Sequence, residues 1–383
     1  MKLPAVFPLL TAVLLSLPSY GADGPRLTLG AKFTGNQSCA TTGCHGGGTI
    51  HNESIIFERK DPHAVSYGIL GKGTSLRMAE ALGIKGDPAK SEQCNVCHAP
   101  MQGLDANLFV KDLKPDRGVS CESCHGAAEN WLRFHTRPDV DFKQIVAAGM
   151  RDLNDIYGRA NSCVGCHLNL DESLRKAGHP ELFFELDGQC AAQPPHYRDA
   201  RPSLGPRSWL TGQAAALREM SWKLSNKGDE NFLPRWKAMV WLLQKTELGK
   251  QELPVSEDFP TMQKAADGLA RKAAQKLWTK EEVGAQLKGL AALHAEFEAG
   301  KADRAQMQRK AEVLVPALDR LWRDLVKGGA PNAAEGETSI RALHVLALDH
   351  EDFDPSRFSG ALSQFSGNLA QASNGAPSEA KKK

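Results

Sequence analysis

The chain has the composition of a folded, nearly neutral protein. It contains 383 residues, of which 47 are Lys or Arg and 45 are Asp or Glu, so the net charge is +2 with histidine neutral. This length is sufficient for one or two domains with a packed core. The basic residues form no stripe with interleaved aromatic side chains, which argues against nucleic acid as a partner.

The first residues have the pattern of a secretory signal. Met1 and Lys2 precede an apolar run over residues 4–17, and the small residues Gly21 and Ala22 follow it. We therefore predict a signal peptide over residues 1–22, cleaved on export, and a periplasmic mature protein. The run is short for a membrane span and no later segment reaches that length, so no stable membrane insertion is expected. An uncleaved N-terminal anchor is the alternative.

Four times in the chain a pair of cysteines is followed immediately by a histidine. Two neighbouring thiols can add to the two vinyl groups of one porphyrin, and the adjacent histidine then ligates the iron. We therefore predict four covalently attached haem c groups, with four proximal histidines as metal ligands. The four motifs are Cys39–Cys44–His45, Cys94–Cys97–His98, Cys121–Cys124–His125 and Cys163–Cys166–His167.

Other uses of these cysteines explain the pattern less well. Four separate Cys₂His triplets do not combine into closed tetrahedral zinc sites. Disulfides suit an exported chain, but they leave the histidine after every second cysteine unexplained. The first motif has four residues between its cysteines instead of two, so Gly43 is expected to help the longer loop bulge, and a trihaem protein is the alternative. The ninth cysteine, Cys190, is predicted to be a buried, inert thiol.

The sixth position of each iron decides what the haem does. When a second histidine fills this position, the haem serves as an electron relay, whereas an open position admits a small ligand. Among the five additional histidines of this region, we predict His63, His135 and His179 as distal metal ligands. His51 lies beside a glycine-rich loop and is a weaker candidate, and His196 is either a reserve ligand or a loop anchor.

The region after residue 203 has a different character. Apolar residues recur there at helical spacing, and no cysteine–histidine motif occurs. We predict a tetrahaem domain of short helices and loops over residues 30–203, a haem-free domain of five to seven antiparallel helices over residues 204–370, and a disordered tail over 371–383. Pro316 is expected to begin or kink a helix. The apolar stripes are Met262, Ala265, Leu269, Ala273 and Leu277; Val283, Leu287, Leu290, Leu293 and Phe297; and Leu314, Leu318, Leu321 and Leu325.

The haem region resembles the multihaem cytochromes of the cytochrome c-554 family over about residues 34–203. The resemblance rests on residues 35–39, on Pro62-His63-Ala64, on the stretch 118–126 with downstream His135, and on residues 178–186 around His179. It implies three bis-histidine haems and one five-coordinate haem. By position, His135 would cap the haem of His45, His63 that of His125 and His179 that of His167, which leaves the haem of His98 open.

Three functions are consistent with these features. The first, which we place ahead of the others, is an electron carrier between redox partner proteins, whose donor and acceptor the sequence does not identify. The second is an oxidoreductase that acts on a nitrogen oxide or hydroxylamine at an open iron. The third is a subunit of a larger redox complex that docks through its C-terminal helices. The sequence leaves open whether the chain is an enzyme.

Overall fold

The computed structural model describes residues 30–48, 50–115, 118–168, 170–196, 205–298, 303–327 and 333–374. The predicted signal peptide, the predicted boundary at residues 203 and 204, and residues 375–383 of the predicted tail lie outside these ranges. Within them the protein is mainly α-helical, which confirms the predicted fold class. The β-structure in these ranges is one isolated parallel bridge between Phe33 and Phe109.

The first part of the chain is built from short helices joined by loops. Single 3₁₀ turns lie between them, of which Pro62–Val65, Pro88–Lys90, Ala106–Leu108 and Phe134–Thr136 are in this part. The helices are α1 (Asn36–Cys39), α2 (Glu53–Lys60), α3 (Ser66–Leu70), α4 (Gly73–Ala81), α5 (Glu92–His98), α6 (Cys121–His125), α7 (Phe142–Ala147), α8 (Ile156–His167), α9 (Glu172–Lys176) and α10 (Leu186–Ala192).

Within the described residues, the second part contains eight α-helices, most of them longer than those of the first part, and this is one more than the upper end of the predicted range. Two 3₁₀ segments, Glu230–Phe232 and Ala292–Phe297, connect them. The helices are α11 (Pro206–Lys227), α12 (Leu233–Leu243), α13 (Glu247–Glu252), α14 (Phe259–Gln275), α15 (Lys280–Ala291), α16 (Arg304–Leu325), α17 (Ala333–Ala347) and α18 (Pro355–Asn374). Over the described residues, no helix combines the length and apolar character that a membrane span needs.

Local signals in the sequence account for the starts of several of these helices. Asp258 caps α14 by accepting from the backbone of Thr261, and Thr279 with Glu282 forms a capping box on α15. Most residues of the predicted stripes are buried. Ala265, Leu293 and Leu325 are half-buried, and Leu277 lies beyond the end of α14 and is exposed. Pro316 lies in the interior of α16 instead of at its start.

Helix α8 joins the two parts of the chain. Ile156, Ala160 and Val164 recur every four residues and are buried in the same core as the C-terminal helices, while the last turn carries the fourth cysteine–histidine motif. The Tyr157 hydroxyl donates to Asp267 of α14 at 2.6 Å and accepts from Arg271 at 2.7 Å. The C-terminal helices are therefore part of the scaffold that holds the motif.

A close helix approach beside α8 generates the first prediction. A methyl group added at Gly212 of α11 would lie 2.6 Å from Cβ of Leu186 in α10, and Leu186 is fully buried. Because that neighbour is at the base of its side chain, it cannot rotate away. We expect Gly212→Ala to destabilise the holoprotein by about 1–3 kcal/mol in urea unfolding, the usual range for overpacking.

The matched control for this substitution is Gly268→Ala in α14, where an added methyl group has open space around it. Replacing a helical glycine with alanine stabilises by about 0.5–1 kcal/mol when nothing is in the way. The two variants should therefore move the unfolding midpoint in opposite directions. Equal effects would contradict a tight contact between α10 and α11.

A buried acidic pair lies where α10 meets α16. Burial raises the pKa of Glu185 to about 7, and the neighbouring Asp187 adds to this, whereas Arg320 opposes it. The same carboxylate caps α10 by accepting from the backbone N–H groups of Asp187 and Gly188. Asp187 in turn accepts from the backbone N–H of Gly205, immediately before α11.

This raised pKa generates a prediction on stability against pH. Between pH 4.5, the ordinary value for the side chain, and about pH 7, folded Glu185 keeps a proton that the unfolded chain has released. Stability therefore falls with rising pH across this window, by about 3 kcal/mol in total, and this contribution is constant above it. In Glu185→Gln this part of the decline should vanish from urea unfolding measured at several pH values. Parallel curves for the two proteins would contradict the assignment.

Candidate haem-binding site

Three of the four motifs sit at the ends of helices. Helices α5, α6 and α8 each end at the motif histidine, His98, His125 and His167 respectively. The two cysteines of each motif are three residues apart, so both project from nearly the same side of one helical turn. This local geometry presents two thiols and one imidazole together.

The first motif has a different local structure. Helix α1 ends at Cys39, and the chain then turns, with the Cys44 N–H donating to the Thr41 carbonyl and the His45 N–H to the Cys39 carbonyl. The turn takes up the two extra residues and returns His45 to the cysteines. The longer spacing is thus compatible with the same arrangement of two thiols and one imidazole.

Contacts between distant segments hold the motifs against each other. The buried Glu122, between the two cysteines of the third motif, accepts from the backbone N–H groups of Thr34, Gly35 and Ala128. Asn36 of α1 accepts from the Cys121 thiol at 2.6 Å. These bonds tie the third motif to the segment that leads into the first.

The second motif is bound to its neighbours in a similar way. The Ser66 hydroxyl donates to the His98 carbonyl and accepts from the backbone N–H of Val119, just before the third motif. The thiols of Cys97 and Cys166 are hydrogen-bonded to each other, so the second and fourth motifs also touch. The four motifs therefore form one connected cluster.

A single cavity of about 2320 Å³ lies at the centre of this cluster. It is several times the volume of a typical small-molecule pocket, and protein interiors are otherwise close-packed with few voids larger than water. All eight motif cysteines and all four motif histidines line it, together with His63, His135, His179 and His196; His51 is exposed and is not among the lining residues. The site therefore has the volume and the attachment groups that several porphyrins require.

Three pairs of histidines face each other across this cavity. Metal–imidazole bonds are about 2 Å long, so two imidazoles on opposite sides of one metal ion have ring centres about 6 Å apart. The observed ring-centre distances are 6.2 Å for His45 and His135, 5.8 Å for His63 and His167, and 6.3 Å for His98 and His179. Each pair combines a motif histidine with one of the three histidines predicted as distal ligands.

Two of these pairs differ from those that the family resemblance implies. His63 lies opposite His167 instead of His125. Helix α10 connects the two histidines, because Gln193 at its end is hydrogen-bonded to Asp61, beside His63, and Gln189 contacts His167. His179 lies opposite His98 instead of His167.

The position of His179 follows from its neighbours. It follows α9, and Asp171 at the start of α9 binds the buried Lys223, whose charge acts on Cys97 of the second motif. Segment α9 is thereby held beside the second motif, which brings His179 opposite His98. His179 thus lies opposite His98, at the position that the resemblance leaves open.

Each predicted distal histidine has its Nδ1 beside an oxygen acceptor. Nδ1 of His63 lies 2.7 Å from the Asp61 carboxylate, that of His135 lies 3.1 Å from the Trp131 carbonyl, and that of His179 lies 2.8 Å from the Pro180 carbonyl. An oxygen can accept a hydrogen bond from Nδ1 only when Nδ1 carries the proton, so Nε2 is unprotonated and has a free lone pair. This tautomer is the one that metal-ligating histidines use.

Two motif histidines share this arrangement. Nδ1 of His45 lies 3.1 Å from the Glu53 carboxylate, and Nδ1 of His98 lies 3.2 Å from the Ser66 carbonyl. His167 is the exception, since its Nδ1 lies 3.2 Å from the Gln189 amide nitrogen. Burial lowers the pKa of both His98 and His167, which favours the neutral, ligating form.

His125 differs from the other motif histidines. Burial lowers its pKa to about 4, with further lowering from nearby His196 and Arg151, so its imidazole is neutral at physiological pH. Within the part of the chain that the structure describes, no ring contact joins it to a second imidazole, in contrast to the other three pairs. His125 is thus the motif histidine without a facing partner ring.

The cysteines have the environment expected of structural thiols. All nine are free in the structure. Burial raises the pKa of Cys124 to about 11 and raises that of Cys163 further, so these thiols are protonated. Cys190 is half-buried beside Arg159, and burial raises its pKa as well. In the described ranges, no three His, Cys, Asp or Glu side chains are grouped to hold a metal ion directly.

The sequence interpretation missed the partners of the histidines. The sequence patterns do not identify four residues that each orient a cavity histidine, namely Asp61, Glu53, Ser66 and Trp131. Asp61 has a recognisable local signal, because an aspartate before a proline caps a short helix, and here it accepts from the His63 backbone as well as from its ring. Ser66 is 32 residues from His98 and has no such signal.

The helical fold and the grouping of the four motifs around one cavity are those expected of a multihaem c-type cytochrome, a class of electron-transfer protein with covalently bound haem. The model of the family described as cytochrome c554 and c-prime matches residues 35–126. Cytochrome c-554 of Nitrosomonas europaea is 24% identical over 221 residues, which cover 52% of this chain and 88% of that protein. The predicted resemblance to the cytochrome c-554 family is confirmed. No solved structure matches the chain significantly.

Proposed function

We propose that this protein is a periplasmic tetrahaem cytochrome c that relays electrons between redox partner proteins. The observation that carries this proposal is the single cavity of about 2320 Å³ lined by all twelve motif cysteines and histidines. A void of this size is incompatible with a packed interior unless bound groups fill it. Haem c, attached at the four motifs, supplies reversible one-electron chemistry.

The residues of the chain fix where these groups are held. The cysteine pairs would attach them, and the three facing imidazole pairs would hold them from both sides. The contact between Cys97 and Cys166 places two attachment points side by side, which supports short distances between neighbouring groups. The packed C-terminal helices keep α8 in place. This rigidity supports a relay, because electron transfer then needs little rearrangement of the protein.

A second candidate function is an oxidoreductase that binds a small molecule at one iron. It is favoured by one observation, namely that His125 lacks a facing imidazole ring in the described part of the chain. The position opposite His125 is therefore the place where we would expect such a molecule, and not the position opposite His98. Binding of nitric oxide to the reduced protein that is lost in a variant without the third motif would favour this function.

The haem count gives the first test of the proposed function. The protein, exported in a host with a haem-ligation apparatus, should have the mass of the polypeptide without residues 1–22 plus four haem groups. Replacing Cys39 and Cys44 with serine should remove one group and leave three. A colourless protein with the mass of the bare polypeptide would contradict the proposal, and an unchanged mass in the double variant would exclude haem attachment at the first motif.

The axial pairing gives the second test. Removing a distal imidazole should convert one haem from low to high spin, since its sixth position loses its ligand. We expect His179→Ala to add a high-spin resonance signal when the fourth motif is removed by Cys163→Ser and Cys166→Ser. It should add none when the second motif is removed by Cys94→Ser and Cys97→Ser. The reverse result would support the pairing of His179 with His167.

A further inference from the structure

Asp61 has the most enclosed environment of any carboxylate that contacts a cavity histidine. Its side chain is 0% exposed. Oδ1 accepts from the His63 backbone at 3.0 Å and from His63 Nδ1 at 2.7 Å, and Oδ2 accepts from the Gln193 amide at 2.8 Å. Among the described residues, no lysine or arginine forms an ion pair with it. The negative charge is therefore directed mainly at the imidazole of His63.

This contact affects how strongly His63 donates electrons to a metal. When a ligating histidine gives its second N–H to a carboxylate, the ring becomes more basic and a better donor. A stronger donor and a nearby negative charge both stabilise the oxidised iron over the reduced iron. From this contact we infer that Asp61 is a positioning residue that lowers the reduction potential of the haem held between His63 and His167.

The inference rests on the proposed function, because it needs haem at Cys163 and Cys166. It goes beyond that function by naming which haem is shifted and which residue shifts it. The potentials of the four haems would then be unequal for a reason built into the protein. Electrons would reside least on the haem beside Asp61 and more on the haem between His98 and His179, because both of these histidines contact carbonyl groups.

Glu53 offers an internal comparison. It contacts Nδ1 of His45 at 3.1 Å, a longer distance, and its side chain is 18% exposed, so water screens its charge more. The same type of contact should therefore have a smaller effect on a different haem, the one between His45 and His135. A general loss of negative charge would act on both haems alike, whereas the proposed effect is specific to each histidine.

A change at Gln193 distinguishes an effect of the Asp61 charge from a purely structural role of Asp61. Its amide donates to Oδ2 and so withdraws part of the negative charge from the carboxylate. Removing the amide leaves the charge on Asp61 with one donor fewer, which should strengthen its effect on His63. Removing the charge itself should weaken that effect. A purely structural role for Asp61 would make both changes act in the same direction.

The test is a spectroelectrochemical titration of the full-length holoprotein and four variants, with haem content and spin state measured on each. The wave that belongs to the His63 haem is identified as the one whose spectrum changes in His63→Ala. We expect Asp61→Asn, which keeps the shape and removes the charge, to stay low-spin and to move this wave to higher potential. Gln193→Met should move it to lower potential or leave it unchanged. Glu53→Gln should raise a different wave by a smaller amount.

Three results would overturn the inference while leaving the proposed function intact. They are unchanged potentials in Asp61→Asn, a rise of the same wave in Gln193→Met, and a rise of that wave in Glu53→Gln as large as in Asp61→Asn. In each case the wild-type protein still carries its haems. Absence of covalent haem from the wild-type protein would instead overturn the proposed function, and the inference with it.

Discussion

The structure depends on an interior that the polypeptide does not fill by itself. A cavity of about 2320 Å³ is surrounded by short helices whose ends carry thiols and imidazoles. Apolar residues around such a space gain little from burial until something occupies it, because dispersion contacts require atoms on both sides. The bound groups would therefore be part of the hydrophobic core. In the described ranges, a small separate core of Ala31, Phe33, Met101, Phe109 and Ala127 lies in the first part of the chain.

The C-terminal helices contain the larger of the two apolar cores in the described ranges. Their core extends from Ile156 to Leu369 and includes one face of α8, so it reaches into the region that holds the fourth motif. Lys223 of α11 binds Asp171 and acts on Cys97, and Arg235 of α12 donates to the carbonyl of Leu182. These contacts reach the second and fourth motifs through segments on either side of His179. The helical region thus fixes the geometry of the site without contributing a motif of its own.

The sequence predicts the site more fully than it predicts the arrangement of its parts. The motif residues and the three additional histidines are recognisable because their chemistry is local: two thiols and one imidazole lie within seven residues in every motif. Leu277 and Pro316 show the limit for helices, since a periodic pattern does not reveal where a helix stops or whether a proline is accommodated. The pairing of His63 with His167 could not be derived, because it depends on a bond between residues 132 positions apart in sequence.

The predicted distal histidines and the motif histidines differ in how far along the chain their Nδ1 partners lie. The three predicted distal ligands receive their Nδ1 acceptors from residues one, two or four positions away, namely Pro180, Asp61 and Trp131. The motif histidines His98 and His167 contact residues 32 and 22 positions away.

This division has a consequence for how the site can assemble. The oxygen that accepts from Nδ1 of a distal histidine lies within four positions in the sequence. This contact can therefore favour the Nδ1-protonated tautomer before the distant segments pack together. A motif histidine would be held by its adjacent cysteines beside the group that it would ligate, so it would need no local acceptor to find its partner. Distant residues such as Ser66 and Gln189 can then orient it once the segments pack together. The two kinds of ligand are therefore oriented by different means, and only the distal histidines have Nδ1 acceptors within four positions in the sequence.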